Sequence, residues 1–354
     1  MSHDPYQQRP YPDRPPMAPG YPAVQQSTPP RPAPPPPPQS PARAALSALR
    51  AEVGKAVVGQ ESAITSLIIA LICRGHILLE GVPGTAKTLM VRAFSKAMQI
   101  DTKRLQFTPD LMPGDITGTV IYDARSSEFT FREGPVFTNL LLADEINRTP
   151  PKTQSALLEA MEERQVSVDG TPRPLPDPFI VAATQNPVEY EGTYPLPEAQ
   201  LDRFLMKIKI DLPQRDAEIE VLNRHAHGFD PRDLDAAGLT AVATPDDLRQ
   251  ARRETQAVLV QPQVQAYIVD VVRATRQSPS LQLGVSPRGA TAILNTARAW
   301  AWLSGRDYVS PDDVKALAFA TLRHRVALRA EAELEGITAD SVIESILATV
   351  PVPR

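Results

Sequence analysis

The stretch Gly81-Val82-Pro83-Gly84-Thr85-Ala86-Lys87-Thr88 constrains this chain of 354 residues more than any other. It follows the apolar run Ile77-Leu78-Leu79 and precedes Leu89-Met90-Val91-Arg92-Ala93-Phe94, a segment of helical period. Strand, glycine-rich turn and helix is the context that a phosphate-binding loop requires. Gly81 and Gly84 can bring bare backbone N–H groups against an anion, and the helix start adds a positive dipole end. Lys87 is placed to reach the β- and γ-phosphates of ATP, with the Thr88 hydroxyl on Mg²⁺. Ala86 stands where the strict pattern has a second glycine, which is tolerable if that residue has helix-like φ. Short glycine patterns also occur in ordinary strand-to-helix turns, so the residues downstream must decide.

An acidic pair supplies that decision. The apolar run Leu140-Leu141-Leu142-Ala143 ends in Asp144-Glu145. A buried parallel strand with two carboxylates at its C-terminal end places them beside the phosphate loop, where α/β sheets bind ligands. Asp144 would hold Mg²⁺ through water, and Glu145 would polarise the attacking water as general base. A capping pair for the helix expected from about Lys152 to Arg164 would explain one of the acids but not both. A further strand, Phe179 to Thr184, delivers Gln185-Asn186, whose amide can orient water against the γ-phosphate. Asn before Pro187 is also a common turn residue.

Around this centre, residues 1–41 hold sixteen of the 38 prolines and almost no aliphatic side chains. Such a segment cannot form a packed core and is expected to be a disordered tail of polyproline II character, acting as a spacer. Hydrophobic periodicity begins near Ala44. Leu46, Leu49, Val53, Val57 and Val58 predict a helix ended by Gly59-Gln60, and a buried helix follows from about Ser62 to Cys73. Arg104 to Phe107 reads as a strand. Thr119–Tyr122 and Phe129–Phe131 read as the arms of a hairpin within 109–136, and Val166–Val168 as a short β piece before a turn at Asp169-Gly170. Leu201-Asp202-Arg203-Phe204 is expected to begin a last strand reaching Ile210. The bland role for Arg203 is a salt bridge to Asp202 or Glu198.

From Arg215 onward the pattern is entirely helical. Ser286-Pro287 and Ser310-Pro311 read as serine caps with proline in the first turn. Arg288 opposes the helix dipole and so looks placed to meet something anionic. His225 and His227, two apart, make no convincing metal pair. The chain thus divides into a tail over 1–41, an α/β nucleotide-binding core over 42–213 and a helical lid over 214–354.

Composition narrows the function. A net charge of −4 gives no strong field toward nucleic acid. The 109–136 insert carries Asp110, Asp115, Asp123, Glu128 and Glu133 against Arg125 and Arg132, which argues against a nucleic-acid motor. The run Ile64–Cys73 is too short to span a bilayer and no signal peptide is evident, so a cytoplasmic location is expected. The lone Cys73 reads as a small buried hydrophobe.

These residues resemble the MoxR family of AAA+ ATPases from about Leu46 to Leu347. The resemblance rests on the glycine loop, Leu142-Ala143-Asp144-Glu145-Ile146-Asn147-Arg148, Ala183-Thr184-Gln185-Asn186-Pro187, Leu196–Phe204 and Ser286-Pro287-Arg288. It implies a five-stranded parallel-sheet core, an all-α lid and a ring, usually hexameric. Asn186 then matches sensor 1, Arg203 the arginine finger reaching a neighbour's ATP, with Arg148 as rival, and Arg288 sensor 2. Val58-Gly59-Gln60 matches the segment beside the adenine. Gly81 through Leu89 forms the nucleotide cradle, including Val82, Pro83, Thr85 and Ala86. The 109–136 hairpin matches the helix-2 insert. The family implies a chaperone-like motor, commonly paired with a von Willebrand factor A domain protein. A metal-chelatase-like motor is a close cousin.

Overall fold

Alternation along short apolar strands sends successive side chains to opposite faces of a sheet, and the core follows that rule. The computed structural model describes Met1 and residues 40–124, 127–186 and 192–353. The expected disordered tail therefore lies, but for its ends, outside the described residues, as do the tip of the 109–136 hairpin and the start of the Pro187–Pro197 loop. Five parallel strands form the core: β1 (Ile77–Glu80), β2 (Thr102–Gln106), β3 (Leu140–Asp144), β4 (Ile180–Gln185) and β5 (Met206–Lys209). Their order is β2-β3-β4-β1-β5, so β1, which feeds the glycine loop, sits between β4 and β5.

The alternation divides the interior into two layers. Ile77, Leu79, Leu140, Leu142, Ile180 and Ala182 face one apolar cluster, while Leu78, Leu141, Ala143, Val181 and Ala183 face the other. Helix α4 (Pro151–Glu163) covers the second face with Leu157, Leu158 and Met161. Helices α1 (Pro41–Gly54), α2 (Glu61–Ile72) and α3 (Lys87–Ala97) cover the first. That first cluster continues into the C-terminal helices through Tyr267, Ile293 and Trp302. The helices concerned are α6 (Pro245–Gln256), α7 (Pro262–Gln277) and α8 (Pro287–Leu303), with α9 (Pro311–Leu322) against α8. Between core and lid lies α5 (Arg215–Ala226), none of whose residues is buried.

Four local expectations need correction. Helix α1 starts at Pro41 rather than near Ala44, because the Ser40 hydroxyl accepts from Arg43 N at 3.1 Å and proline suits the first turn. It stops at Gly54, not at Gly59: Ala56 and Val57 fold back onto the Val53 carbonyl, and Gly59 turns the chain at φ +75°. The last strand starts at Met206, after a short helix over Glu198–Leu201, so Asp202 to Phe204 belong to a turn. The C-terminal part is not entirely helical, since Leu281–Leu283 pairs antiparallel with Ala327–Leu328. The expected hairpin arms pair over Gly118–Asp123 and Glu128–Glu133, and the short β piece pairs with Thr171–Pro174.

Buried polar contacts fix the turn that carries Arg203. The Arg325 guanidinium, whose side chain is only 3% exposed, donates to Asp202 Oδ1 at 2.6 Å, to the Phe204 carbonyl at 2.6 Å and to the Leu205 carbonyl at 3.0 Å. Burial first, and the Arg325 charge second, hold His324 well below the usual imidazole range, so its Nε2–H donates to the Phe204 carbonyl at 2.9 Å. With the carbonyls of Asp202 and Thr321 also accepting from it, a carboxylate and four carbonyls surround one buried guanidinium, and they are costly to break because a lone buried charge remains.

Candidate nucleotide site

At the end of β1, Gly81 leaves the sheet where a Cβ would come within 2.5 Å of the Ile210 carbonyl oxygen. Only glycine fits there. Gly84 turns at φ +86°. Ala86 also sits in the left-handed region, at φ +58° and ψ +21°, so the helix-like φ that would make alanine tolerable there without strain is not met. The loop thus asks an alanine to adopt what glycine adopts freely, which costs on the order of 1 kcal/mol. The Thr85 hydroxyl donates to the Val82 carbonyl at 3.0 Å and helps hold the turn. Lys87 opens α3, and its ammonium donates to the carbonyls of Gly81 at 2.9 Å and Val82 at 2.8 Å. Burial lowers the pKa of Lys87, an effect opposed by the charges of Asp144 and Glu145.

The two carboxylates are held by residues on the neighbouring strands. Asp144 Oδ2 accepts from Arg104 Nη2 at 2.7 Å and Nε at 3.0 Å, and Oδ1 accepts from the Thr184 hydroxyl at 2.6 Å. That hydroxyl also accepts the Glu145 N–H at 2.8 Å, so β4 fixes both acids. Glu145 lies in the left-handed region at φ +58°. Its Oε2 is met by Gln106 Nε2 at 2.7 Å and by Arg148 Nε at 3.0 Å. Arg104 and Gln106 are two apart on β2, hence on one face, and β2 lies in register with β3 so that Gln106 faces Asp144.

A cavity of about 390 Å³ collects Gly81, Gly84, Lys87, Thr88, Asp144, Glu145 and Asn186 in its wall. Pro83, Thr85, Ala86 and Leu89 line it too, while the one Val82 carbonyl accepts from both Lys87 and Thr85. An adjoining cavity of about 530 Å³ is largely apolar and shares Gly84, Thr85, Ala86 and Leu89 with the first. Of the segment Val58-Gly59-Gln60, Val58 and Gln60 line it and Gly59 does not. Leu222, His225 and Phe229 complete a largely apolar pocket with room for a flat heterocycle. The His225 ring meets Phe229 edge-on at 5.5 Å, so the histidine set aside as a metal ligand lies at this wall. Among the described residues no group of three metal-ligating side chains occurs.

Arg203 and Arg288 lie elsewhere. They line a separate cavity of about 230 Å³ that shares no residue with the phosphate-loop cavity. Both are paired with one carboxylate: Arg203 Nε with Glu162 Oε2 at 2.9 Å, and Arg288 Nη1 with Glu162 Oε1 at 3.3 Å. The partner expected for Arg203, Asp202 or Glu198, is thus replaced by a residue at the end of α4. Asp202 is taken by Arg325 and by the Ser286 hydroxyl, which donates to it at 3.2 Å and makes no side-chain cap on α8. Sequence reasoning missed Arg104, Gln106, Thr184 and Glu162. The alternation of polar side chains on β2 signalled the first two, whereas nothing local marks Glu162.

Comparison with known proteins agrees with this architecture. The pattern of the ATPase family associated with various cellular activities (AAA) matches residues 76–206, and the AAA lid domain matches residues 273–346. The uncharacterized protein YeaC of Bacillus subtilis is 50% identical over 85% of this chain and 92% of its own length. Chaperone MoxR1 of Mycobacterium tuberculosis is 43% identical over 86% of this chain and 81% of its own. A crystal structure of a candidate ATPase from Cytophaga hutchinsonii superposes with a TM-score of 0.81 at 43% identity, covering 88% of this chain and 96% of that one. The chain belongs to the MoxR family of AAA+ ATPases.

Proposed function

We propose that this protein hydrolyses ATP to ADP and phosphate and uses the cycle for chaperone-like remodelling, assembly or maturation of protein complexes. The observation that carries the hydrolytic part is the convergence of Lys87, Thr88, Asp144, Glu145 and Asn186 on one cavity. In this reading the loop N–H groups and Lys87 bind the phosphates, which requires the ammonium to turn from the Gly81 and Val82 carbonyls. Glu145 takes a proton from the attacking water, and the Asn186 amide orients that water. The Thr88 hydroxyl and the Asp144 carboxylate line the same cavity and are hard oxygen donors that suit Mg²⁺. Bound there, Mg²⁺ would offset negative charge on the phosphates. Val58 and the apolar wall beside Leu222 seat the base.

Arg203 and Arg288 act on a neighbouring subunit's nucleotide in this reading. Neither lines the cavity of its own phosphate loop, and Glu162 keeps the two guanidiniums side by side. The ring is of the usual AAA+ kind, of six copies, and a von Willebrand factor A domain protein is its partner by family resemblance. A cytoplasmic location is part of the proposal; among the described residues no helix is long and apolar enough to cross a membrane.

Two substitutions test the catalytic division. Lys87→Ala is expected to abolish binding of a fluorescent ATP analogue. Glu145→Gln is expected to bind it normally and to release phosphate about 10²–10⁴ times more slowly. Wild-type turnover by Glu145→Gln would overturn the role of Glu145. The same slow variant, loaded with ATP, is the bait for capturing the partner and substrate.

A further inference from the structure

Beside the Arg203–Arg288 cavity lies a strip of unusual charge. On α8, Arg288, Thr291, Asn295 and Arg298 are spaced three, four and three residues apart, which aligns them on one stripe. On α6, Arg249, Arg252 and Arg253 share a face in the same way. Between these helices and the end of α2 is a cavity of about 370 Å³ whose wall carries five arginines, Arg74, Arg249, Arg252, Arg253 and Arg298, and no carboxylate. It adjoins the Arg203–Arg288 cavity, because Cys73, Arg74 and Asn295 line both. Part of this charge is answered locally: Arg252 meets Asp177 at 3.0 Å, Arg74 reaches the same carboxylate at 4.0 Å, Arg249 meets Asp246, and Arg253 donates to the neutral amide of Gln250. The buried Thr255 hydroxyl and Arg298 Nε make no hydrogen bond among the described residues.

The opposite charge is concentrated elsewhere on the same chain. Residues 211–235 carry seven Asp or Glu against three Arg, a net −4 that equals the formal charge of the whole protein. Within this segment α5 has no buried residue, the Asp216 side chain is 96% exposed, and Leu222 is 69% exposed. The segment also borders the nucleobase pocket through Leu212, Glu218 and Leu222. Each charged surface therefore flanks one half of the proposed composite site: acid beside the nucleotide, base beside the arginines.

A head-to-tail ring joins two different patches of each subunit. From this we infer that the arginine strip over Arg74, Arg249, Arg253 and Arg298 docks onto the acidic 211–235 segment of the next copy, setting the register that brings Arg203 to its neighbour's nucleotide. The inference rests on the ring proposed above and adds what holds it in register. Complementary potentials of this kind govern partner choice and association rate more than raw affinity.

Charge exchange tests it with the full chain. One variant carries Arg249→Glu and Arg253→Glu, and a second carries Asp211→Lys and Asp216→Lys. Circular dichroism and thermal melts check that both fold. Mass photometry with ATP then measures the concentration at which each assembles. Each variant alone is expected to need at least about tenfold more protein than wild type. An equimolar mixture should assemble near the wild-type concentration, since alternating subunits restore opposite charges at every contact. The wild-type ring should also weaken as NaCl rises from about 50 to about 500 mM. Variants that assemble like wild type, or mixtures no better than either parent, would overturn the docking. A wild type that forms no ring at all would overturn the ring itself, which keeps the two failures distinct. Loss of an acidic foreign protein from the Arg249/Arg253 variant with its rings intact would also overturn the docking, by giving the strip another occupant.

Discussion

The phosphate-loop side and the arginine side of this molecule are built on opposite plans. On the first, contiguous backbone does the work: β1, the glycine loop and α3 follow one another, and β3 and β4 end beside them. Its acids are each held by side chains of adjacent strands, so the cavity is complete within one chain. On the second, three distant segments meet: the end of α4, the turn at 202–204 and the start of α8. There one carboxylate serves two guanidiniums, and a buried Arg325–Asp202 contact fixes the turn from below. In the proposed reading, a side completed by chain contiguity binds nucleotide without a neighbour and needs one only for turnover. A side that gathers cations around a single acid is prepared for an anion from outside.

The supports of the two sides differ in the same way, and that difference can be broken experimentally. The arginine side leans on a buried imidazole. His76 Nδ1 accepts from Val181 N–H at 2.9 Å, so its Nε2–H donates to the Met161 carbonyl at 3.0 Å, next to Glu162. Burial pushes its pKa down to about 4 from an ordinary value near 6.5. Because the folded pKa is depressed, the contribution is fully present above about pH 6.5 and is lost as pH falls toward 4. The shift corresponds to about 3 kcal/mol. Urea unfolding of wild type from pH 7.5 to 4 is expected to lose that much more stability than His76→Asn does. Parallel curves for the two proteins would remove His76 as the pH-sensitive support.

A smaller effect is expected on the phosphate side, where the support is backbone strain rather than a buried side chain. Ala86→Gly relieves the left-handed alanine and should raise unfolding stability by about 1 kcal/mol or less, offset in part by the freedom glycine gains when unfolded. Urea midpoints read this directly. A clear loss of stability would mean that the Ala86 methyl group contributes packing that outweighs its strain.

How much of this was legible from sequence follows the same division. The five strands, the acidic pair and the loop were readable because each is a contiguous pattern with a fixed period. Periodicity alone extended α1 past Gly54, since Val57 and Val58 are apolar and buried or half-buried without being helical. It also carried β5 back to Leu201, where the chain instead makes a short helix and a pinned turn. Glu162 was invisible because its partners stand 41 and 126 residues away, and a charge on an exposed helix end looks like solvated surface. The left-handed φ of Ala86 was not legible either, because an alanine gives no sequence signal for that conformation.

The central claim is that the arginine side serves a neighbour's phosphate side. It is tested most directly by mixing Arg203→Ala with Lys87→Ala subunits and measuring phosphate release. Each parent is expected to be nearly inactive, the first by about 10³–10⁵ in rate because a finger is missing, the second for want of bound ATP. In mixed rings an Arg203→Ala subunit keeps an intact loop, and a Lys87→Ala neighbour offers it an intact arginine. Activity should therefore return in part. Mixed rings, verified by native mass spectrometry, that stay as inactive as either parent would contradict the account.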